Sequence, residues 1–302
     1  MSAKPDICIY HAPCQDGFTA AWAVWKRWGD EVAYHPGVHG EAPPDVTGKH
    51  VLIVDFSYRR QVLQQMGAVA ASITILDHHK SAQADLAPFV VEALGEAPVA
   101  FVDEGLAGLA GPYPIQAVFD MERSGAGLTW DLLHPGAPRP LLIEYVEDRD
   151  LWRFTLAGTR EFTAELFSQP YSFAEWEIAA GDLEHAVGRD KRFAQGQAIT
   201  RKHDKDVAEL LDQTARYMVI GGHRVPVANL PYTMCSDGAN RLAEGNPFAA
   251  TYFDRADGAR VFSLRSTEGG LDVSEIAFAL GGGGHARAAG FTAAAGWEGE
   301  GA

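Results

Sequence analysis

No stretch of this chain approaches the roughly 20 consecutive apolar residues that a membrane-spanning helix needs. Cysteine is scarce: Cys8, Cys14 and Cys235 are the whole complement. They make neither a disulfide framework nor a CxxC pair for a structural zinc, and so few thiols suit a reducing compartment. Residues 1–6 lack the basic stretch and apolar run of a secretory signal. These absences lead to the expectation of a cytoplasmic protein with no membrane partner. Basic side chains are also in deficit, with 25 Lys and Arg against 40 Asp and Glu, a formal net charge of −15. That balance excludes the salt-driven grip on long duplex nucleic acid that basic surfaces provide. It leaves room for a small anionic substrate held locally by metal ions and a few arginines. No internal repeat is visible.

What is present is an ordinary globular composition. With 302 residues, 47% hydrophobic and 22% charged, the chain suits two domains or one large one. The informative stretch is 51–79. From His50 it reads H-V-L-I-V-D-F, and from Ser72 S-I-T-I-L-D-H-H-K. Each is a short, β-branched apolar run that ends in aspartate, with a helix-compatible segment, 58–69, between them. Such runs predict consecutive parallel strands of an α/β sheet. A third run, 7–10, leads into His11-Ala12-Pro13-Cys14-Gln15-Asp16-Gly17. In open α/β sheets, ligands gather outside the carboxyl ends of the strands. Three strands therefore deliver carboxylates and imidazoles to one rim, a donor set suited to Mn²⁺, Mg²⁺ or Zn²⁺. A single aspartate after a strand is ordinarily a helix cap or turn residue; three such coincidences on one rim argue for chemistry.

Elsewhere the pattern predicts a helix over 17–28, directly after Asp16, whose first N–H groups can help bind an anion. A short strand is expected at 32–34, then a loop, 35–40, whose His35 and His39 are left out of the candidate site. A further strand is expected at 99–103, followed by a Gly/Ala/Pro loop over 105–114. Ser124 reads as the N-cap of a helix to 133. A helix over 141–146 leads into Glu147-Asp148-Arg149-Asp150, where two aspartates stand two apart. Residues 173–211 are mostly helix-compatible, and 191–211 form a long charged helix that reads as a connector, with His203 exposed and unpartnered. Short strands follow at 217–220 and 223–228 around Gly221-Gly222, and at 248–254 and 260–265 around Ala256-Asp257-Gly258, both hairpin signals. Helices are expected at 236–244, capped by Ser236 or Asp237, and at 274–280. The second runs into Gly281-Gly282-Gly283-Gly284-His285-Ala286-Arg287-Ala288-Ala289-Gly290-Phe291. Successive glycines suit a backbone that approaches a ligand closely, and their N–H groups make an anion-binding concavity. The tail beyond Ala295 is expected to fray.

The Asp77-His78-His79 motif with its preceding strand–aspartate repeats resembles the DHH phosphoesterase superfamily. The Gly-Gly-Gly-Gly-His and Ala-Ala-Gly-Phe run resembles the smaller DHHA1 domain that accompanies it, over 217–292. Together the resemblances span nearly the whole chain. They imply an α/β fold, with a parallel-sheet N-terminal DHH domain and a smaller mixed-sheet α/β C-terminal DHHA1 domain. The divisions are 1–190 for the catalytic domain, 191–215 for a helical connector and 216–302 for the substrate-binding domain. The resemblance implies one or two divalent ions, Mn²⁺ first, with Mg²⁺ or another divalent ion possible. Their ligands would be His11, Asp16, Asp55, His78 and Asp148, with Asp150 the rival of Asp148. Asp77 would orient His78, and His79 would face a phosphate. Gly282, Gly283, Gly284, His285, Arg287 and Arg265 would hold a nucleotide.

One position departs from the family pattern. Where the family places an aspartate two residues before that of Asp16, this chain has Cys14. Either the thiolate ligates, favouring a softer ion, or Cys14 is a bystander beside a site that has lost one ion. The bystander reading is preferred, because Asp16, Asp55, His78 and Asp148 would still make one complete set. The implied reaction is hydrolysis of phosphodiester or phosphomonoester bonds in short nucleotides (nanoRNA, linear or cyclic dinucleotides, or 3′-phosphoadenosine 5′-phosphate) to mononucleotides. Pyrophosphate is demoted because the family's pyrophosphatases lack this glycine loop. The competing readings are a single-strand-specific exonuclease and a nucleotide-sensing module on a degenerate scaffold. Oligomeric state is left open.

Overall fold

The computed structural model of the chain describes residues 4–91 and 114–301. The strand expected at 99–103, and all but the last residue of the loop expected at 105–114, lie outside the described residues. The chain divides into two compact units, with the division after Ile199.

The first unit is built on five strands: β1 (Ile7–His11), β2 (Ala33–Gly37), β3 (His50–Val54), β4 (Ser72–Asp77) and β5 (Ile115–Phe119). They lie in the order β2-β1-β3-β4-β5 and every neighbouring pair is parallel. The helices are α1 (Gln15–Trp28), α2 (Arg60–Gly67), α3 (Lys80–Asp85), α4 (Gly125–Leu133), α5 (Leu141–Asp150), α6 (Thr159–Leu166) and α7 (Phe173–Leu183). A long helix, α8 (Ala186–Thr214), contains the division between the units.

The strands are apolar at nearly every position because both sheet faces are covered. Side chains alternate across a strand, so Leu52 and Val54 of β3 join Cys8 and Leu76 in one buried cluster with Trp22, Leu128 and Val146 of the helices. Val51 and Ile53 point the other way, joining Ile9, Ile73 and Ile75 in a cluster with Leu63 and Met66 of α2. This double covering fixes the register, and with it which residue follows each strand.

Two boundaries differ from expectation. Helix α1 begins at Gln15, with Cys14 at its N-cap, so Asp16 lies inside the first turn. Strand β2 runs on through His35, Pro36 and Gly37, which were expected in a loop, because it pairs with β1 as far as His11.

The second unit carries β6 (Arg216–Ile220), β7 (His223–Asn229), α9 (Cys235–Ala243), β8 (Ala249–Asp254), β9 (Arg260–Arg265), α10 (Val273–Ala279), β10 (Gly283–His285) and β11 (Ala288–Ala293). Its six strands are ordered β10-β11-β9-β8-β7-β6. Only β7 and β8 pair in parallel, so the sheet is mixed. Helix α9 begins at Cys235 without a side-chain cap, contrary to the expected Ser236 or Asp237. Those two side chains are engaged elsewhere: Ser236 Oγ accepts a bond of 2.7 Å from Arg265, and Asp237 meets His203 Nε2 at 3.0 Å. His203 is thus partnered, against expectation. Nor does the tail fray. Trp297 packs edge-on to Phe262 and Phe291, and the Glu300 carboxylate accepts bonds of 3.1 and 2.7 Å from the Gly221 and Gly222 N–H groups. Those two N–H groups belong to a hairpin turn with both residues at positive φ, and the tail carboxylate satisfies them.

Candidate metal centre

The centre of the site is Asp55, the first residue after β3. Its main chain is in the left-handed region, with φ 54°, a conformation costing an L-residue about 1–2 kcal/mol. Its N–H still bonds to Leu76 O at 2.9 Å, which keeps it tied to β4. The turn lays the side chain, 1% exposed, across the strand ends. Helix α4 starts directly against it. A Cβ on Gly125 would stand 2.3 Å from Asp55 Cβ, so only glycine admits this approach. The same helix start meets Asp16: Gly125 N and Ala126 N donate to its two carboxylate oxygens at 2.5 and 3.1 Å. An α-helix N-terminus carries unsatisfied donors and favours negative charge, so α4 fixes the Asp16 carboxylate while Ser124 caps the helix through Gly127 N at 3.1 Å.

The two oxygens of Asp55 face different neighbours. Oδ1 lies 3.1 Å from His78 Nε2. That nitrogen is 3.8 Å from Asp16 Oδ2 and 3.7 Å from Asp150 Oδ2. Oδ2 lies 3.3 Å from His11 Nδ1 and 3.5 Å from Cys14 Sγ. Two groups of potential ligand atoms each fall within 4.8 Å of one another: Asp16, His78 and Asp150, and His11, Asp55 and His79. Three carboxylates thus converge on one imidazole, His78. Asp16 and Asp55 are buried and Asp150 is exposed; negative charge so concentrated is costly where it is buried unless neutralised, and a divalent cation is the natural neutraliser of oxygen and imidazole donors. The residues present fit such an ion.

The protonation tendencies express the same crowding. Burial, then Asp55 and Asp150, push the Asp16 carboxyl well above the usual range. Burial pushes Asp55 the same way, but the hydrogen bonds of His11 and His78 overcome it and hold Asp55 well below. Burial would lower His78; Asp55, Asp150 and Asp16 raise it well above an ordinary imidazole. Burial, followed by Asp55 and Asp16, pushes the Cys14 thiol well above its usual range.

Two residues are placed otherwise than expected. Asp148 stands apart from the cluster. Its Oδ1 accepts from Thr155 N and Thr155 Oγ1, both at 2.8 Å, and its Oδ2 from Leu156 N at 3.1 Å and Thr159 Oγ1 at 2.5 Å. A carboxylate so fully used ties the end of α5 to the following turn. Asp150, two residues on, takes the place beside His78. Asp77 does not orient the His78 ring; its Oδ1 meets His79 Nδ1 at 2.7 Å and the His78 main-chain N at 2.8 Å. Cys14 Sγ lies 3.5 Å from Asp55 Oδ2.

Two contributors stood outside the expected site: His39, set aside as a loop residue, and Gly125. His39 brings its ring to 5.3 Å from that of His11 and 4.7 Å from that of Phe56. Gly125 has no sequence signal beyond its place in a helix start; its need arises only from the packing of α4 on Asp55.

In the second unit, the residues proposed for nucleotide binding gather at one end of the sheet. Arg265 is paired in register with Ala288, as is His285. Arg287 lies in the turn between β10 and β11 and donates to Thr267 O. The glycine run, expected to form an open cradle, is partly strand: Gly283 and Gly284 pair with Gly290 and Ala289. A Cβ on Gly282 would meet Gly290 O at 2.0 Å, and Gly284 sits at φ 138° with Ala288 O 2.6 Å from where its Cβ would be. Close packing of the hairpin accounts for these two glycines.

The comparisons with known proteins address the fold. A solved DHH-domain structure, described as coming from a member of a family of ribosomal proteins, matches over 97% of this chain and 83% of its own, with 14% identity and a TM-score of 0.50. The chain shares its fold with that DHH-domain structure. A pGpG-specific phosphodiesterase of Vibrio cholerae aligns over 95% of this chain and 93% of its own at 15% identity, with a TM-score of 0.45. No family model matches the chain. The uncharacterised protein R106 of Acanthamoeba polyphaga mimivirus is 28% identical over 94% of this chain, which spans 66% of that relative's length. The five-stranded parallel sheet and separate mixed sheet fit the DHH and DHHA1 pairing.

Proposed function

We propose that this protein is a divalent-metal-dependent phosphoesterase that hydrolyses phosphodiester or phosphomonoester bonds of short nucleotides to mononucleotides. The observation that carries the reading is Asp55, buried at the carboxyl edge of a parallel sheet, with a separate set of donors on each of its oxygens. Asp16, Asp55, His78 and Asp150, with His11 on the other side, would hold the metal, and Mn²⁺ is the ion proposed, Mg²⁺ the alternative. A divalent ion bound there supplies Lewis-acid polarisation of a phosphoryl oxygen and a water acidified towards neutral pH. Asp77 accepts from His79 Nδ1 and, against the effect of burial, raises that imidazole above its ordinary value, so that as an imidazolium it would donate from Nε2 to a phosphoryl oxygen as charge develops there. Arg265, Gly282, Gly283, Gly284, His285 and Arg287 are proposed as nucleotide-binding residues of the second unit, with 1–190 the catalytic part and 216–302 the substrate-binding part.

The acidic surface, −15 overall, favours a short substrate over the basic, aromatic-lined channel of a single-strand exonuclease. The test is metal-depleted protein reloaded with Mn²⁺ or Mg²⁺ and offered linear and cyclic dinucleotides, 3′-phosphoadenosine 5′-phosphate and short RNA, with products read by chromatography. Mononucleotide release only with metal is the expected result. Asp55→Ala is expected to abolish it, and retention of turnover within about tenfold would remove Asp55 from the mechanism. Binding of nucleotides without turnover, at any metal loading, would favour a sensing module instead.

A further inference from the structure

Among the described residues, the side chains other than glycine at positive φ are Asp55, Trp152 at 56° and Phe154 at 51°. A bulky aromatic is a true outlier there, and such conformations persist where their surroundings impose them, often at functional sites. Asp148 imposes these two. Its carbonyl accepts from Arg153 N at 2.9 Å and Phe154 N at 3.3 Å, and its carboxylate from the N–H groups of Thr155 and Leu156. The turn leaving α5 after Asp150 therefore sets the two rings against each other, edge-on at 80° with centroids 5.0 Å apart. Two guanidiniums lie over them. Arg149 Cζ is 4.2 Å from the centroid of Trp152 and 5.5 Å from that of Phe154. Arg160, from the start of α6, stands 3.7 Å from Phe154 and 5.8 Å from Trp152.

Elsewhere arginines lie on carboxylates: Arg139 on Asp131, Arg192 on Glu165, Arg260 on Asp254. Arg160 is exposed and, among the described residues, has no ion pair, although acidic side chains outnumber basic ones by 40 to 25. A guanidinium stacked on a ring has its plane fixed, with its N–H fork set for the bidentate grip of a phosphate. Two such cations on one pair of rings repel each other, and an anion between them relieves that repulsion. A nucleobase has less to gain, because guanidiniums already lie over both rings. The cluster adjoins the metal centre through Asp150, which follows Arg149 and brings Oδ2 to 3.7 Å from His78 Nε2.

We propose that Arg149 and Arg160, held on Trp152 and Phe154, form a second phosphate subsite, for a terminal phosphate of the substrate that is not cleaved. The preferred substrate is then a short nucleotide carrying a terminal phosphate beside its scissile bond. This subsite deepens the proposed function and rests on the reading of the neighbouring centre as the place where phosphate reacts.

The test uses the full chain loaded with Mn²⁺ and reads binding by titration calorimetry. The ligands are diadenylates with a methylene in place of the bridging oxygen, which resists hydrolysis. They carry a 5′-phosphate, a 3′-phosphate or neither. One terminal phosphate is expected to tighten binding at least about tenfold, the worth of a hydrogen-bonded charge pair. Arg160→Gln is expected to reduce that gain to about threefold or less, and Arg160→Glu to turn it into a loss, with melting temperatures unchanged. An undiminished gain in both variants would overturn the subsite, as would equal weakening of all three ligands, the mark of a structural or base-stacking role. No gain from either phosphate in the wild type would do the same. The unmodified diadenylate, assayed alongside for turnover, tests the proposed function separately: a phosphate-dependent gain without hydrolysis would keep the subsite and overturn the hydrolase. No binding of any ligand would overturn both.

Discussion

Asp148 and Asp150 show how much can turn on one residue. They are two apart on α5, and on a helix of 3.6 residues per turn that separates them by ~200°. One of them can face His78 while the other faces away. Asp148 instead receives four hydrogen bonds from the turn after α5, and these bonds hold its carboxyl below the usual range against the opposing effect of burial. Asp148→Ala is therefore expected to lower stability by about 1–3 kcal/mol, the cost of stranding buried donors, with metal binding retained. Asp150→Asn is expected to weaken metal binding with little change in the melting temperature. Calorimetry of each variant, with and without Mn²⁺, distinguishes the two; loss of metal binding by the Asp148 variant alone would reverse the assignment. Gly125 is the other residue on which the centre depends. Gly125→Ala puts a methyl group 2.3 Å from Asp55 Cβ, and is expected to abolish metal binding in a protein that still folds; wild-type affinity in that variant would show that α4 can yield.

At the scale of elements, the carboxyl-terminal hairpin replaces an expected loop by structure. Strand β11 pairs with β9 along its full length, from Ala288 opposite Arg265 to Ala293 opposite Arg260, and so draws the glycine run into the sheet edge. The tail then folds back: Trp297 closes over Phe262 and Phe291, and its carbonyl accepts from Arg260 Nη1 at 2.9 Å. Trp297→Ala is expected to destabilise the second unit by about 2 kcal/mol through lost apolar burial. Protection of the β9 and β11 amides from hydrogen exchange is the measurement, and unchanged protection would return the tail to the status of an ornament. Helices α8 and α9 are joined by His203 and Asp237. The hydrogen bond to Asp237, more than any opposing desolvation, raises the His203 imidazole above its ordinary value. A group whose pKa rises on folding contributes stability that is complete below its unfolded value, about 6.5, and is lost as pH climbs through the folded value. The second unit is therefore expected to melt at lower temperature above that window than below it, and His203→Gln to flatten this dependence. A melting profile equally steep in the variant would rule out the pair as its source.

For the whole molecule, the excess of 40 acidic over 25 basic residues sets what can approach. A chain of net −15 repels long polyanions and gains little from counterion release. A short nucleotide, held at a neutralised centre, is exposed to that field over only a few phosphates. Affinity for oligonucleotides is thus expected to fall, not rise, as the chain lengthens, and to fall more steeply at low salt, where screening is weakest. Fluorescence anisotropy across a length series reads this; tighter binding of longer strands would instead favour the exonuclease.

Much of this was legible in the sequence. Continuous apolar runs ending in Asp55 and Asp77, with a helix between, dictate parallel strands whose ends share one edge, because strands apolar on both faces suit a sheet covered on both sides. The motif residues on those ends, Asp16, Asp55 and His78, come together for that reason. What the chain order could not fix is rotation and approach. Whether Asp148 or Asp150 faces inwards depends on the phase of α5, which its packing sets. Whether Cys14 points into the cluster depends on the N-cap of α1, and the need for glycine at 125 on how closely α4 meets Asp55. These are contacts between side chains far apart in sequence, and only close packing of the folded chain decides them.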